Sequence, residues 1–212
     1  MAAPRPTRRT LFAAPLLLAA GPALAAPRPK VITMLGDSIT AGYGLPAAAA
    51  LPNQLHLALE ALGVPNVVRG AGVSGDTTAG GAGRVDFSVQ KDTDLAIVAL
   101  GANDLMQGQD TRRIRANLDV IVKKLQARKI PVLLAGIAAP VEVGGGYARD
   151  FNAVYTGLAK AYGVPLYPNL IDGVARRREL NQADGIHPNA VGAKIIAGKL
   201  APVVAKALAA RG

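Results

Sequence analysis

Short apolar runs recur along the chain, separated by stretches in which apolar residues return every three or four positions. The runs have the length and composition of strands. They cover residues 31–35, 66–68, 94–100, 131–137 and 164–167. The segment 95–100 is apolar on both faces, which is typical of a parallel strand covered by helices on both sides of its sheet.

The stretches between the runs have the period of amphipathic helices. They lie at about 51–62, 77–90, 111–128, 147–162 and 188–209, and glycines interrupt the second. In the third, arginines and lysines lie opposite one apolar stripe, which consists of Ile114, Leu118, Ile121, Val122 and Leu125. Asp110 or Thr111 can cap the first turn of this helix.

Alternation of strands and helices predicts right-handed crossovers and an α/β domain of three layers. No linker, repeat or change of composition divides the chain, so we expect one domain over residues 26–212. Ligands of such sheets bind outside the carboxyl ends of the strands. Three polar segments, 36–38, 70–76 and 101–104, directly follow predicted strands. We therefore expect them to meet at one edge of the sheet.

Residues 1–25 have the features of an export signal. A basic start is followed by an apolar core at 11–20 and by the small-x-small cleavage site Ala23-Leu24-Ala25. The segment 7–12, with its adjacent arginines, resembles a twin-arginine signal, and an ordinary signal peptide is the alternative. The apolar core has about half of the ~20 residues that a membrane span needs. We expect a periplasmic or secreted protein without a stable membrane anchor.

The chain is basic, with a formal net charge of +10. A basic chain could bind nucleic acid, but this one has no tryptophan and only 4% aromatic residues, so side chains that stack on bases are scarce. We interpret the basic clusters at 112–115 and 176–178 as solvent-exposed faces. The expected partner is a small molecule rather than a nucleic acid, and we expect a monomer.

Metal catalysis is a poor match to the residues present. The chain has no cysteine and only two histidines, and it lacks a His-Glu-x-x-His helix. Asp37, Asp76 and Asp104 could together hold magnesium, but aspartates at strand ends are also common cap and turn residues. We expect no metal, and without cysteine the fold depends on packing rather than on disulfides.

Residues 70–75 match the G-x-G-x-x-G fingerprint of dinucleotide sites. The fingerprint belongs to a turn that opens a firm helix, whereas residues 76–83 contain three further glycines and are a poor helix start. We therefore expect no dinucleotide cofactor. A close approach of the backbone to a ligand explains these glycines equally well.

Ser38 directly follows the first predicted strand, and a serine becomes a good nucleophile only when a base takes its proton. Of the two histidines, His56 lies in a helical pattern, whereas His187 lies in a loop three residues after Asp184. His187 is therefore the better candidate for the base. Ser38 is not in a Gly-x-Ser-x-Gly elbow, which argues against the α/β-hydrolase arrangement.

Four segments, taken in chain order, resemble the motif blocks of the GDSL, or SGNH, hydrolase superfamily. They are residues 36–44, 74–77, 100–104 and 184–189. The resemblance covers essentially the whole mature chain. Residues 75–77 and 159–166 are most similar to the bacterial exported arylesterase, thioesterase and lysophospholipase branch. Gly70 departs from the pattern, because many members have asparagine there.

The resemblance implies a flavodoxin-like α/β/α sandwich and a serine esterase. It implies that Ser38 is the nucleophile, that His187 is the base and that Asp184 orients the base. The oxyanion hole would consist of the backbone N–H groups of Ser38 and Gly75 and the side-chain amide of Asn103. Substrates would be acyl or aryl esters, thioesters or lysophospholipids, and no cofactor would be needed.

Two alternatives remain at this point. The first is an O-deacetylase of carbohydrates or cell-wall glycans, because the same superfamily includes such enzymes. The second is a non-catalytic envelope protein that binds lipid or glycan, although the presence of all five site residues argues against it. Segments 106–108 and 141–146 are in position to form substrate loops.

Overall fold

A parallel sheet of five strands forms the centre of the protein. The structure is a computed structural model that describes residues 28–210, together with residues 1 and 3. The strands are β1 (Lys30–Gly36), β2 (Asn66–Gly72), β3 (Leu95–Ala99), β4 (Val132–Ala135) and β5 (Leu166–Tyr167). Their order is β2-β1-β3-β4-β5, and each neighbouring pair is parallel. This is the flavodoxin-like order, so the predicted fold class is confirmed.

Helices cover both faces of the sheet. They are α1 (Ser38–Ala41), α2 (Leu51–Ala61), α3 (Thr78–Ser88), α4 (Ala102–Met106), α5 (Thr111–Ala127), α6 (Gly145–Tyr162) and α7 (Ala190–Ala209). Short 3-10 helices occupy Ala47–Ala49, Val141–Val143 and Arg178–Leu180. Helix α2 packs against α7, and α5 packs against both α3 and α6. These two groups are the outer layers of the sandwich.

Five of the helices were predicted to within a few residues, but α1 and α4 were not. These two have only four and five residues, which is too short to show a helical period. The predicted apolar stripe of α5 is buried in the core. Asp110 caps this helix, because its carboxylate accepts a hydrogen bond of 2.9 Å from the backbone N–H of Arg112.

Strand β2 is longer than the sequence predicts, because it continues from Val68 through Gly72. Glycine is uncommon in strands, yet here it is needed for packing. A Cβ atom at Gly72 would lie 2.2 Å from the backbone nitrogen of Ala41, so only glycine lets β2 approach α1 this closely. The backbone therefore makes its close approach at Gly72 to another part of the chain rather than to a ligand.

Among residues 28–210, no helix is both long enough and apolar enough to cross a membrane. The predicted export signal at 1–25 lies outside the described residues, apart from positions 1 and 3, and stays a prediction.

Candidate active site

Ser38 lies just beyond the carboxyl end of strand β1, which lies between β2 and β3. It is the first residue of α1, and the carboxylate of Asp37 caps this helix by accepting a 3.0 Å hydrogen bond from the backbone N–H of Ile39. Gly36 makes the turn possible, because a Cβ atom there would lie 2.0 Å from the hydroxyl oxygen of Thr40. This tight strand-to-helix turn leaves the side chain of Ser38 half-buried at the edge of the sheet.

His187 and Asp184 lie in the loop before α7 and are joined by a short hydrogen bond. The Nδ1 atom of His187 is 2.6 Å from Oδ2 of Asp184. The other carboxylate oxygen accepts hydrogen bonds from the backbone N–H groups of Ile186 and His187, at 2.9 and 3.0 Å. These three hydrogen bonds, that from the His187 ring above all, lower the pKa of Asp184 to about 2. The carboxylate therefore stays ionised at neutral pH.

The ring of His187 also reaches Ser38. Its Nε2 atom lies 2.8 Å from Oγ of Ser38. The structure thus brings three of the predicted site residues into one hydrogen-bonded row, in the order Asp184, His187, Ser38. His56 is remote from this row, since its Nδ1 atom contacts the side chain of Asn66 at 3.0 Å on the α2 side of the sheet.

Two residues that hold the histidine loop in place were missed by the sequence analysis. Gln182 donates hydrogen bonds from its backbone to the carbonyl of His187, at 2.8 Å, and from its side chain to the carbonyl of Tyr43, at 2.7 Å. The ring of Tyr43 lies against that of His187, with 4.7 Å between centroids. No local pattern links Gln182 to Tyr43, because the two are far apart in the chain.

Asn103 lies on α4 with its amide directed at the loop that contains Gly75. Its Nδ2 atom donates a 2.8 Å hydrogen bond to the carbonyl of Asp76, the residue after Gly75. Gly75 has φ of +80°, in the left-handed region, and a Cβ atom at this position would meet nothing within 4 Å. Glycine is therefore required at 75 by backbone conformation rather than by lack of space.

Buried hydrogen bonds fix the start of α4 on both sides. The carboxylate of Asp104 accepts from the backbone N–H and the hydroxyl of Thr78, at 2.8 and 2.6 Å. The phenol of the buried Tyr155 donates to the carbonyl of Leu100 at 2.9 Å. Asn103 is thus held between two anchored neighbours. The motif gave no sign of the contribution of Tyr155, which comes from α6.

Three aspartates considered as magnesium ligands have separate partners. Asp37 caps α1, Asp104 binds Thr78, and the carboxylate of Asp76 pairs with Arg84 at 2.7 Å. Burial raises the pKa of Asp37 to about 6. Within the described part of the chain, no group of three or more histidine, aspartate or glutamate side chains is arranged to hold a metal ion.

A cavity of about 250 Å³ opens beside Ser38, Asn103 and His187. Most of its other lining is apolar, and includes Leu105, Met106, Ile137, Pro140, Ile171 and Ile186. Of the two expected substrate loops, segment 106–108 lines the cavity through Met106, whereas segment 141–146 does not line it. The cavity is lined instead by residues just before that second segment, including Ile137 and Pro140.

The fold, together with the polar residues at the carboxyl edge of its sheet, agrees with the comparisons to known proteins. Residues 34–195 match the model of the GDSL-like Lipase/Acylhydrolase family. The chain belongs to the GDSL-like lipase/acylhydrolase family. The match contains all four segments that resemble the GDSL motif blocks.

Characterised relatives of this GDSL-family chain include two bacterial enzymes. Esterase TesA of Pseudomonas aeruginosa is 33% identical over 160 residues, which are 75% of this chain and 80% of the relative. Thioesterase 1/protease 1/lysophospholipase L1 of Escherichia coli is 34% identical over 159 residues, which are 74% of this chain and 75% of the relative.

A solved structure is also similar. The SGNH-hydrolase family esterase AlinE4 is 42% identical in sequence, and the superposition covers 87% of this chain and 99% of that protein with a TM-score of 0.72. The GDSL-family chain is therefore an enzyme, a GDSL-type esterase. This finding sets aside the alternative of a non-catalytic envelope protein.

Proposed function

We propose that this esterase cleaves carboxylic esters, and thioesters of similar shape, through an acyl-enzyme formed on Ser38. His187 takes the proton of the Ser38 hydroxyl, and Asp184 holds the imidazole in the tautomer that can accept it. The observation that carries the proposal is the continuous hydrogen-bonded row of these three residues, which ends at an apolar cavity.

In the proposed reaction, Oγ of Ser38 attacks the carbonyl carbon while its proton passes to Nε2 of His187. The tetrahedral intermediate collapses, the bond to the leaving alcohol or thiol breaks, and His187 returns the proton to that leaving group. Water then gives a proton to His187 and attacks the acyl group. When this second intermediate collapses, the bond from the acyl carbon to Oγ breaks, the acid leaves, and His187 returns the proton to Ser38. Every step uses residues of the chain and water, without a cofactor.

The negative charge of the intermediate would be stabilised by the backbone N–H groups of Ser38 and Gly75 and the amide of Asn103. Asn103 lines the same cavity as Ser38, and its amide is bonded to the carbonyl next to Gly75. Such donors do not supply a proton, and each typically lowers the barrier by a few kcal/mol.

The cavity favours an apolar acyl or aryl group over a sugar. A sugar would leave its hydroxyl groups without partners along an apolar wall, whereas each buried methylene contributes roughly 0.8 kcal/mol. The volume of about 250 Å³ lies just below the ~300–1,000 Å³ typical of small-molecule sites. We infer that the substrates are esters or lysophospholipids with acyl chains of short to medium length.

A series of p-nitrophenyl esters tests this proposal on purified residues 26–212. Two additional methylenes contribute roughly 1.6 kcal/mol, so kcat/KM is expected to rise about tenfold from acetate to butyrate and further to octanoate. Activity on acetate alone would overturn the proposal and favour the glycan O-deacetylase.

Narrowing the cavity gives a second test of the same proposal. Ala175 lines the cavity, so Ala175→Phe is expected to lower kcat/KM for octanoate much more than for acetate. The matched control is Ala61→Phe, at the exposed end of α2, which is expected to leave the ester profile unchanged. Equal losses on both esters in Ala175→Phe would contradict the assigned acyl position.

We also propose that the enzyme is exported through the twin-arginine signal. The support is the sequence of residues 1–25, in particular Arg8 and Arg9. Replacing both by lysine is expected to leave the precursor in the cytoplasm, as measured by cell fractionation. Export at the normal level in that variant would favour an ordinary signal peptide.

A further inference from the structure

Arg84, on α3, connects the segments that follow two neighbouring strands. Its side chain is only 20% exposed. It donates to the carbonyls of Gly36 and Ala71, both at 2.8 Å, and to the carboxylate of Asp76 at 2.7 Å. A further 3.0 Å contact joins it to the hydroxyl of Ser88. The guanidinium thus contacts the ends of β1 and β2 and the loop after β2.

The carboxylate of Asp76 lies over the first turn of α3. A Cβ atom at Gly80 would lie 1.8 Å from Oδ1 of Asp76, so glycine at 80 makes room for the carboxylate. The main chain of Asp76 faces the other way, because its carbonyl accepts the 2.8 Å hydrogen bond from Asn103. Arg84 therefore holds the residue whose carbonyl orients the amide of Asn103.

The other end of the guanidinium holds the turn that contains Ser38. The carbonyl of Gly36, two residues before Ser38, accepts from both Arg84 and the backbone N–H of Val73, at 2.8 and 3.1 Å. Val73 in turn belongs to the loop that contains Gly75. One partly buried cation thus fixes the spacing between the serine turn and the Gly75 loop.

We propose that Arg84 is a positioning residue for the oxyanion hole. It acts through Asp76 on the amide of Asn103 and through Gly36 on the turn of Ser38, and it touches no substrate atom. This inference rests on the proposed function, because it assumes that Asn103 meets the oxyanion. A guanidinium has five donors in a rigid fork. A lysine at 84 keeps the charge but cannot reach acceptors that lie in several directions.

The first test compares Arg84→Lys with wild type on p-nitrophenyl butyrate. An error of about 1 Å in a reacting group can cost about 10²-fold in rate, so kcat is expected to fall roughly 10–100-fold while KM stays nearly constant. The control is Arg69→Lys, which alters the more exposed bidentate pair that Arg69, on β2, forms with Asp92 in the loop before β3. It is expected to leave kcat unchanged. A folded Arg84→Lys enzyme with normal kcat would overturn the inference.

A double-mutant cycle with Asn103→Ala separates positioning from general loss of structure. Because Arg84 also acts through Gly36, part of its effect remains without Asn103, but Arg84→Lys is expected to cost less in the Asn103→Ala background than in wild type. Equal fold-losses in both backgrounds would overturn the inference. If Arg84→Lys does not fold, the same cycle is measured with Asp76→Asn, which weakens the ion pair but keeps the carbonyl, and the same two outcomes decide.

Ser38→Ala is assayed in parallel. Its activity distinguishes an error in the role of Arg84 from an error in the proposed function. Full activity in Ser38→Ala would overturn the proposed function and the inference with it. An inactive Ser38→Ala enzyme combined with a normal Arg84→Lys enzyme would overturn the role of Arg84 alone.

Discussion

The Nε2 atom of His187 lies 2.8 Å from Oγ of Ser38, although 149 residues separate the two in the chain. His187 lies in the loop after β5, the last strand of the sheet, and Ser38 directly follows the inner strand β1. Parallel strands place all their carboxyl ends at one edge of the sheet, so the two loops meet there. The contact is therefore a consequence of the sheet topology, and its function can be tested residue by residue.

Ser38→Ala is expected to abolish esterase activity and to leave the melting temperature nearly unchanged. In the proposed mechanism this hydroxyl begins the reaction, but it makes only one hydrogen bond at the surface of the cleft, so its loss is expected to cost little stability. A serine-directed phosphonate, followed by mass spectrometry, is expected to label Ser38 in the wild type and nothing in the variant. Labelling at another serine would contradict the mechanism.

The two histidines are expected to differ completely in their effect on activity. His187→Ala removes the proposed base and is expected to lose nearly all activity, whereas His56→Ala alters only a contact with Asn66 and is expected to keep it. Steady-state rates on one ester measure both. An essential His56 would refute the assignment.

Asp184→Asn is expected to reduce kcat by roughly 10³–10⁴, with a small change in KM. The amide can still accept the backbone hydrogen bonds through its oxygen, but its nitrogen presents a donor to Nδ1 of His187 and so stabilises the wrong tautomer. The pKa of Asp184 is lowered to about 2, so this aspartate is expected to remain ionised throughout a pH–rate profile from 4 to 9. An acid limb caused by Asp184 in that range would contradict the structure.

The sequence predicted the fold class, and the meeting of polar segments at the carboxyl edge of the sheet, for a physical reason. The segment 95–100 is apolar on both faces, and only a strand with helices on both sides of its sheet can bury both. The prediction was poorer where short elements depend on contacts that are distant in sequence. Helix α1 has four residues, and β2 extends through glycines that a local pattern assigns to a loop.

The residues that support the site from other elements were also not predicted, because their contacts are distant in sequence. Ser38 and His187 lie in recognisable motifs, and their proximity follows from topology. Arg84 and Tyr155 lie on helices, outside these motifs, and reach the site only through tertiary contacts with backbone carbonyls. Every residue has the same backbone carbonyl, so no sequence pattern can indicate which side chain will bind a given one.

Asn103→Ala is expected to lower kcat by roughly 10²–10³ and to change KM little. In the proposed mechanism the amide meets an oxygen that becomes negative only in the transition state, so binding of the substrate itself is expected to lose little. In the free enzyme the amide donates to the carbonyl of Asp76, and some loss of melting temperature is expected as well. A destabilised variant with normal kcat would make Asn103 a structural residue only.

The buried Asp37 is expected to make stability depend on pH. Burial raises its pKa to about 6, well above the ~3.9 of a free aspartate, so folding favours the protonated form. The stability that it contributes is fully present below about pH 4 and is lost as the pH rises through about 6. Asp37→Asn removes the ionisation and keeps an oxygen for the N–H of Ile39. At each pH the melting temperature of Asp37→Asn is compared with that of wild type. The difference, variant minus wild type, is expected to be several degrees more positive at pH 8 than at pH 4.

Asp94 provides a control of opposite sign for this measurement. Hydrogen bonds from Arg28 lower the pKa of Asp94, so its contribution is present above the ordinary pKa of an aspartate and is lost only as the pH falls toward its lowered value. Asp94→Asn is expected to destabilise the protein at pH 8 and to do so less in strong acid. The contrary result would be a difference in melting temperature between Asp37→Asn and wild type that is the same at pH 4 and pH 8. If Asp94→Asn behaves as expected in the same measurement, that result would show that the carboxyl of Asp37 does not titrate near pH 6.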